Sequence, residues 1–412
     1  MLLNQIARRF RHGSLHLHWP DGTTRVLGEG EPEAHIRFNR KGALRRILRN
    51  PYMQLGESYM DGDWGPEGGE LLPVFEILLR NFGADGPQSP FGRALNAVRR
   101  AWRETDWVSR ARRNVSHHYD LDESLFRRFL DEDMQYSCAY FPESKMGLDE
   151  AQLAKRRHIG RKLVPSPGAR ILDIGCGWGG MALFLAEEYG ARVTGLTLSE
   201  EQVRVARQRA RERGLEDRVA FRLEDYREHT GSYDAIVSVG MFEHVGRPQY
   251  PAFFDGVRRL LKPDGVALLH TIGRTGPPNV TDPWINRYIF PGGYIPALSE
   301  VSPHVERYGL VLSDLEILRL HYAMTLQHWH QRFQRARADI AERMGERFCR
   351  MWEFYLQASE ASFRWGELVV FQFQLAHRNA TVPITRDYLY GTDPRLLATD
   401  EISVINPSHK AG

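Results

Sequence analysis

Apolar positions alternate with polar ones near the start of the chain and later regroup at helical spacing. Leu15, Leu17 and Trp19 alternate with histidines, a Pro20-Asp21-Gly22 turn follows, and a second apolar run begins beyond it. This predicts two strands joined by a tight turn. Residues 34–38 (AHIRF) read as a further strand. Ala43, Leu44, Ile47 and Leu48 then recur at helical spacing, and residues 71–82 form a second amphipathic helix. The Gly/Pro-rich stretch 83–90 (GADGPQSP) marks a domain boundary.

From Arg170 strand and helix patterns alternate. Residues 170–175 (RILDIG), 192–198 (RVTGLTL), 218–223 (RVAFRL), 233–239 (YDAIVSV) and 265–272 (GVALLHTI) read as strands. Residues 178–189 and 199–214 read as helices between them, with Ser199 as an N-cap and Gln202 at the capping-box position. A long helical stretch over 322–364 and a strand over 368–375 complete the pattern. Repeated βα units predict an α/β fold: a mostly parallel, doubly wound sheet with its ligand at the strand C-termini, preceded by a smaller α+β domain. The expected organisation is an N-terminal domain over 1–85, a basic linker over 86–113 and a catalytic domain over 114–412, with an insertion around 273–300. Pro, Gly and aromatic residues in 276–294 mark that insertion as a lid or channel wall, or as a plain packed insertion.

At 412 residues the chain is long enough for two domains, and 42% hydrophobic with 26% charged residues argues against disorder. A net charge of +3 gives no case for nucleic acid. The charge is uneven, however. Arg93, Arg99, Arg100, Arg103, Arg110, Arg112 and Arg113 are opposed only by Glu104 and Asp106, so this stretch is either a surface for anionic lipid or a solvated helix face. Cys138, Cys176 and Cys349 are too few and too scattered for a disulfide framework or structural zinc, which fits a reducing cytoplasm. The N-terminus lacks the features of a signal peptide. The most apolar stretch, 171–186, is interrupted by Asp173 and is shorter than a bilayer span, so lipid would be met from the water side.

The chemistry is concentrated in LDIGCGWGG, residues 172–180. Gly175, Gly177 and Gly179 leave a strand and enter a helix, where a missing β-carbon lets backbone turn tightly and approach a ligand. Asp173 stands two residues before the first glycine, and the resulting DxGCGxG resembles the nucleotide-binding loop of class I methyltransferases. In that family the acid and the loop backbone hold the methionine part of S-adenosylmethionine. An acid after the third strand, Glu224 or Asp225, can accept a hydrogen bond from the adenine amine, or else is a solvated loop end.

VSHHYDLDESLFRRFLD, MQYSCAYF, LDIGCGWGG, GLTLSEEQ, VGMFEHVG, LLHTIG, YIFPGGYIP and HYAMTLQHW occur in one order and spacing. Together, from about Asn114 onward, they resemble the cyclopropane-fatty-acyl-phospholipid synthases and the related mycolic acid methyltransferases. RNPYMQLGESYMDGDW resembles the N-terminal domain of the bacterial phospholipid enzymes. The resemblance implies methylene transfer from S-adenosylmethionine to a cis double bond of a phospholipid acyl chain. It implies cofactor contacts at Tyr136, Ser137, Asp173, Gly175, Cys176, Gly177, Thr197, Gln202, Glu224 and Asp225. It further implies a bicarbonate ion that serves as base, held by Cys138, Glu243, His270, the backbone of Ile272, and Tyr322. The expected partners are an unsaturated phospholipid and an anionic membrane surface at the cytoplasmic face, with a homodimer left open. A methyl-branching transferase and a non-catalytic lipid-binding protein are the alternatives. No metal is expected: there is no HExxH, His117 and His118 belong to the family's HYD segment, and His328 and His330 do not share a helix face.

Overall fold

The structure is a computed structural model that describes residues 2–83 and 123–390. The expected boundary at 83–90, the arginine-rich linker and the His117–His118 pair lie, Gly83 apart, outside the described residues.

A short helix α1 (Leu2–Ala7) precedes a four-stranded sheet of β1 (Gly13–His18), β2 (Thr24–Glu29), β3 (Glu33–Phe38) and β4 (Trp64–Pro66). Its order is β2-β1-β3-β4, with β1 and β3 parallel and both edge pairs antiparallel. The β1–β2 turn closes because Asp21 Oδ1 accepts from the Thr23 amide and hydroxyl at 3.0 and 2.7 Å. Alternation puts Leu15 and Leu17 inward and His16 and His18 on the opposite face. Helices α2 (Ala43–Arg49), α3 (Pro51–Met60) and α4 (Leu72–Phe82) complete this α+β unit.

The larger sheet contains β5 (Arg170–Ile174), β6 (Arg192–Thr197), β7 (Val219–Leu223), β8 (Tyr233–Val239), β9 (Leu261–Arg274), β10 (Val311–Leu318) and β11 (Leu368–Ala376). Its order is β10-β11-β9-β8-β5-β6-β7, and β11 runs antiparallel to both its neighbours while the rest are parallel. Strand order reverses between β5 and β8, the place where a doubly wound sheet opens a crevice for a ligand. Beside the sheet lie α5 (Glu123–Phe129), α6 (Leu148–Leu163), α7 (Gly180–Tyr189), α8 (Glu200–Glu212), α9 (Tyr250–Leu260), α10 (Pro283–Tyr288), α11 (Leu298–Arg307), α12 (His321–Met344) and α13 (Glu346–Arg364).

The fold class is the one the sequence implies, with local differences. The stretch 322–364 is two helices, because Gly345 takes φ +85° and ends α12. Ser199 caps α8 by accepting from the Gln202 amide at 3.3 Å, but the Gln202 side chain turns away and accepts from the Thr197 hydroxyl at 2.7 Å. Leu15, Leu17, Ile36, Phe38 and Ile77 share one apolar core with α5, α12 and α13, so the small sheet is packed onto the larger domain. Polar contacts hold the join: Tyr59 donates to Glu353 at 3.1 Å, and the Leu71 and Leu72 amides donate to Gln357 Oε1 at 2.8 and 3.0 Å. Among the described residues no helix is long and apolar enough to cross a membrane.

Candidate active site

The first half of the site is built by strand ends. β5 stops at Ile174, and the chain turns through Gly175 at φ +84°, where a β-carbon would lie 2.6 Å from the side chain of Met241. Gly177 has φ +51°, and a β-carbon there would project into open space. That space is a cavity of about 160 Å³ at the sheet's switch point. Its lining includes every residue expected to touch the cofactor, from Tyr136 and Ser137 through Asp173, Gly175, Cys176, Gly177, Thr197 and Gln202 to Glu224 and Asp225. Asp173 is buried, its Oδ2 has no hydrogen-bond partner, and burial pushes its pKa up to about 7 against the pull of Lys155. An orphaned carboxylate oxygen in such a pocket suits a cationic ammonium, as on the methionine part of S-adenosylmethionine. The two acids after β7 are already engaged. Asp225 holds Arg227 in a two-point pair at 2.6 and 2.9 Å, and Glu224 pairs with His229 Nδ1 at 2.6 Å. A lone pair remains on Glu224 for a further donor, whereas Asp225 Oδ1 also accepts from the Arg227 amide at 3.1 Å.

The second half is a larger cavity of about 960 Å³ with mostly apolar walls. Its lining includes Leu15, Leu17, Ile36 and Phe38 of the small sheet, with residues of α2 and α4. Cys138, Glu243, His270, Ile272 and Tyr322 line it too. The segment 279–285, with Phe290 and 293–295, supplies a side wall. Asp282 caps α10 by accepting from the Trp284 and Ile285 amides, and buried Trp284 packs on Phe354 at a centroid distance of 4.6 Å. The insertion is therefore a packed channel wall. Tyr136, Ser137, Gly240 and His244 line both cavities, so the two spaces meet across them.

Burial governs the charge state of the groups at this junction. Glu243 is raised to about 7 by desolvation; its Oε1 accepts from the Ile272 amide at 2.6 Å and its Oε2 has no partner. The Ile272 N–H is thereby committed to Glu243. Desolvation pushes His270 well below its ordinary range, and Gln372 Nε2 donates to its Nδ1 at 3.0 Å, which leaves the ring proton on Nε2. The Cys138 thiol is pushed up by burial and stays protonated. Tyr322 is buried, with its ring 4.8 Å from Phe363 and 5.8 Å from Trp329.

Three residues here went unnoticed in the sequence. Lys155 is fully buried, drops to about 7 through desolvation, and donates to Gln135 Oε1 at 2.7 Å and Ser137 Oγ at 2.9 Å. Its signal was a lysine, like Lys162 seven residues on, falling on the buried stripe Leu148, Ala151, Gln152 and Ile159 of α6. Gln372 is one of two buried glutamines, with Gln374, in a mostly apolar β11. His244, held neutral by burial at about 4, stands between the two cavities.

Residues 107–373 match the family described as Mycolic acid cyclopropane synthetase, and residues 2–81 match a domain of unknown function, DUF7884. The chain is 40% identical over 343 residues to a cyclopropane-fatty-acyl-phospholipid synthase of Escherichia coli K12, covering 83% of this chain and 88% of the relative. It is 35% identical to a probable fatty acid methyltransferase of Pseudomonas putida, over 92% of this chain and 97% of that one. The solved mycolic acid cyclopropane synthase CmaA1 complexed with SAH and CTAB superposes with a TM-score of 0.60 at 34% identity, covering 64% of this chain and 97% of that one. With more than half its length matched and the sheet, glycine loop and cofactor pocket in place, the chain belongs to the mycolic acid cyclopropane synthetase family of S-adenosylmethionine-dependent methyltransferases, alongside cyclopropane-fatty-acyl-phospholipid synthases and fatty acid methyltransferases.

Proposed function

We propose that the chain adds one carbon from S-adenosylmethionine across the cis double bond of an unsaturated phospholipid acyl chain and closes a cyclopropane ring. The observation that carries this reading is the large, mostly apolar cavity whose lining includes Glu243, His270, Cys138 and Tyr322 and which shares Tyr136, Ser137, Gly240 and His244 with the cofactor pocket. An acyl chain lying in it presents its double bond to the sulfonium methyl across that shared wall.

An isolated alkene is a weak nucleophile, so the sulfonium supplies the driving force. The π electrons attack the methyl carbon as its bond to sulfur breaks, S-adenosylhomocysteine leaves, and an electron-deficient carbon remains on the chain. Apolar walls keep water from trapping it. Ring closure then needs a proton to leave the transferred methyl. Bicarbonate, when bound, supplies the base. The side chains fit such an anion: His270 offers Nε2–H, Tyr322 carries a hydroxyl, and Cys138, whose thiol donates to the Ala139 carbonyl at 3.2 Å, adds no charge, while Glu243, with a pKa near 7 and a free Oε2, is largely protonated below neutrality and repels an anion little. Ile272 acts here by orienting Glu243 through its amide.

The whole-length likeness to a probable fatty acid methyltransferase supports a second reading, in which the same cation ends as a methyl branch. Purified enzyme, S-adenosylmethionine and vesicles of unsaturated phospholipid test both. Product NMR should show ring methylene protons, and removal of bicarbonate should slow the reaction until it is restored. A methyl-branched product formed at full rate without bicarbonate would overturn ring closure. In this proposal the enzyme works at the inner face of the membrane, with the arginine-rich segment 93–113 meeting anionic headgroups.

A further inference from the structure

The small sheet has two faces with different chemistry. Its inner face, with Leu15, Leu17 and Ile36, walls the acyl cavity. Its outer face carries an unusual density of imidazole. His16 and His18 point outward two residues apart on β1, and His35 stands opposite His16 in the parallel register with β3. Among the described residues, the groups of His, Cys, Asp or Glu able to surround a metal ion are two, and both lie here, sharing His35.

We propose that His16, Glu33 and His35 form a binding site for a first-row divalent ion of the zinc class. Glu33 Oε1 lies 3.1 Å from His16 Nε2 and 2.8 Å from His35 Nε2. Tetrahedral zinc holds nitrogen and oxygen ligands at roughly 2.0–2.2 Å, which sets neighbouring ligand atoms about 3.4 Å apart. The two carboxylate contacts need to lengthen by roughly 0.3–0.6 Å, and the His16 and His35 rings, stacked at 4.4 Å with 25° between their planes, must rotate to bring both Nε2 atoms onto one ion. Two imidazoles and one carboxylate select zinc, nickel or cobalt over magnesium or calcium, which prefer all-oxygen shells. The fourth position faces solvent.

The outer hydrogen bonds choose this group over the second one. With Nε2 on the ion, His35 keeps its proton on Nδ1, which lies 3.0 Å from His18 Nε2. His18 in turn places Nδ1 3.1 Å from the Thr24 hydroxyl. That relay fixes the ring and its tautomer, as ligating histidines require. In the second group Glu67 is drawn off by Arg37 at 2.6 Å and sits 4.0 Å from His18. The ion would join β1 to β3 and stiffen the outer wall of the acyl cavity. Periodicity could not reveal it, because His16 and Glu33 are brought together only by pairing of non-adjacent strands.

The test uses the full chain without a histidine tag, stripped with EDTA, dialysed and titrated with zinc chloride by calorimetry. One tight equivalent is expected, together with a rise in melting temperature. His35→Asn and Glu33→Gln should lose that equivalent, His18→Phe should weaken it about tenfold, and His12→Asn, an exposed histidine outside the cluster, should leave it unchanged. Glu33 is a surface carboxylate, so its variant folds even if His35→Asn does not, and S-adenosylmethionine affinity checks the fold of each. A wild type that takes up no zinc, or a tight equivalent that survives in Glu33→Gln and His16→Asn, would overturn the site.

Discussion

The two cavities differ in how the chain makes them. Apart from residues 134–137, which precede α6, most of the cofactor pocket comes from strand ends and the segments that follow them, so Asp173, Gly175 and Gly177 lie within five residues of one another and Thr197 and Gln202 share a strand–helix junction. The larger cavity, which we propose for the acyl chain, is assembled from β1, β3, α2, α4, the insertion before α11, and α12 and α13, segments separated by up to several hundred positions. The first is a local motif that a short sequence can specify. The second exists only when the small sheet docks on the helices. Substitutions should therefore separate the two: one set should remove cofactor binding, the other should leave it intact and change what is done with the acyl chain.

The largest effect is expected at Gly177. Its φ of +51° disfavours a β-branched residue, and it lines the pocket we assign to the cofactor. Gly177→Val should abolish S-adenosylmethionine binding by calorimetry while circular dichroism keeps the folded spectrum. Unchanged affinity would show that this loop is not the cofactor floor.

Glu243→Gln is next. The amide keeps the shape and can still accept from the Ile272 amide, but it alters charge and proton exchange beside the reacting carbon. Loss of one such electrostatic contact typically costs on the order of a hundredfold in kcat. S-adenosylmethionine affinity should hardly change, because Glu243 lies outside the cofactor pocket. If affinity falls as far as turnover, the two cavities are not separable here.

A smaller effect is expected from filling the acyl cavity. Ala358 lines it on α13 and is only half-buried. Ala358→Trp should cost about 1–3 kcal/mol of chain binding, read as a rise in KM of roughly ten- to hundredfold for long acyl chains. Shorter chains should be affected less. Equal loss for all lengths would mean that the tail does not run past Ala358. Lys155→Met probes the wall between the spaces. It removes the bonds that hold Gln135 and Ser137 and should raise the KM for S-adenosylmethionine about fivefold, one modest hydrogen-bond loss, with kcat less altered. A fall in kcat alone would place Lys155 nearer the chemistry.

The same contrast explains what could be read from the sequence. The larger sheet was legible because β5, β6, β8 and β9 are apolar runs punctuated by glycine and by helical repeats. Five residues of the proposed reaction centre were legible only through family motifs, since Cys138 or Tyr322 alone is an ordinary buried residue. Lys155 and Gln372 escaped because each acts through a neighbour: Lys155 on Ser137, Gln372 on His270. The break at Gly345 escaped because the apolar stripe continues on either side of it. The union of the small sheet with α12 and α13 escaped because no periodicity encodes which apolar face meets which.

The smallest effect concerns pH, and it divides the two cavities by their buried acids. Asp173 and Glu243 are each raised to about 7 by burial. The native state therefore binds protons that the unfolded chain has released, and the stability these acids contribute is lost as pH rises from the ordinary carboxylate range through about 7. Each shift corresponds to on the order of 3–4 kcal/mol at full ionisation. Glu243→Gln removes one of them, so this variant should melt with the wild type at pH 5 and a few degrees higher at pH 8, although it is the less active protein. Lys155, lowered to about 7, moves stability the opposite way only above that pH and is common to both proteins. Saturating S-adenosylmethionine should offset the Asp173 share by placing a cation against its free oxygen, and leave the Glu243 share untouched. Thermal melts of both proteins at the two pH values, with and without the cofactor, measure this. If the cofactor erases the difference between wild type and Glu243→Gln at pH 8, the two acids report on one shared environment, and the division between the cavities fails at the wall formed by Tyr136, Ser137, Gly240 and His244.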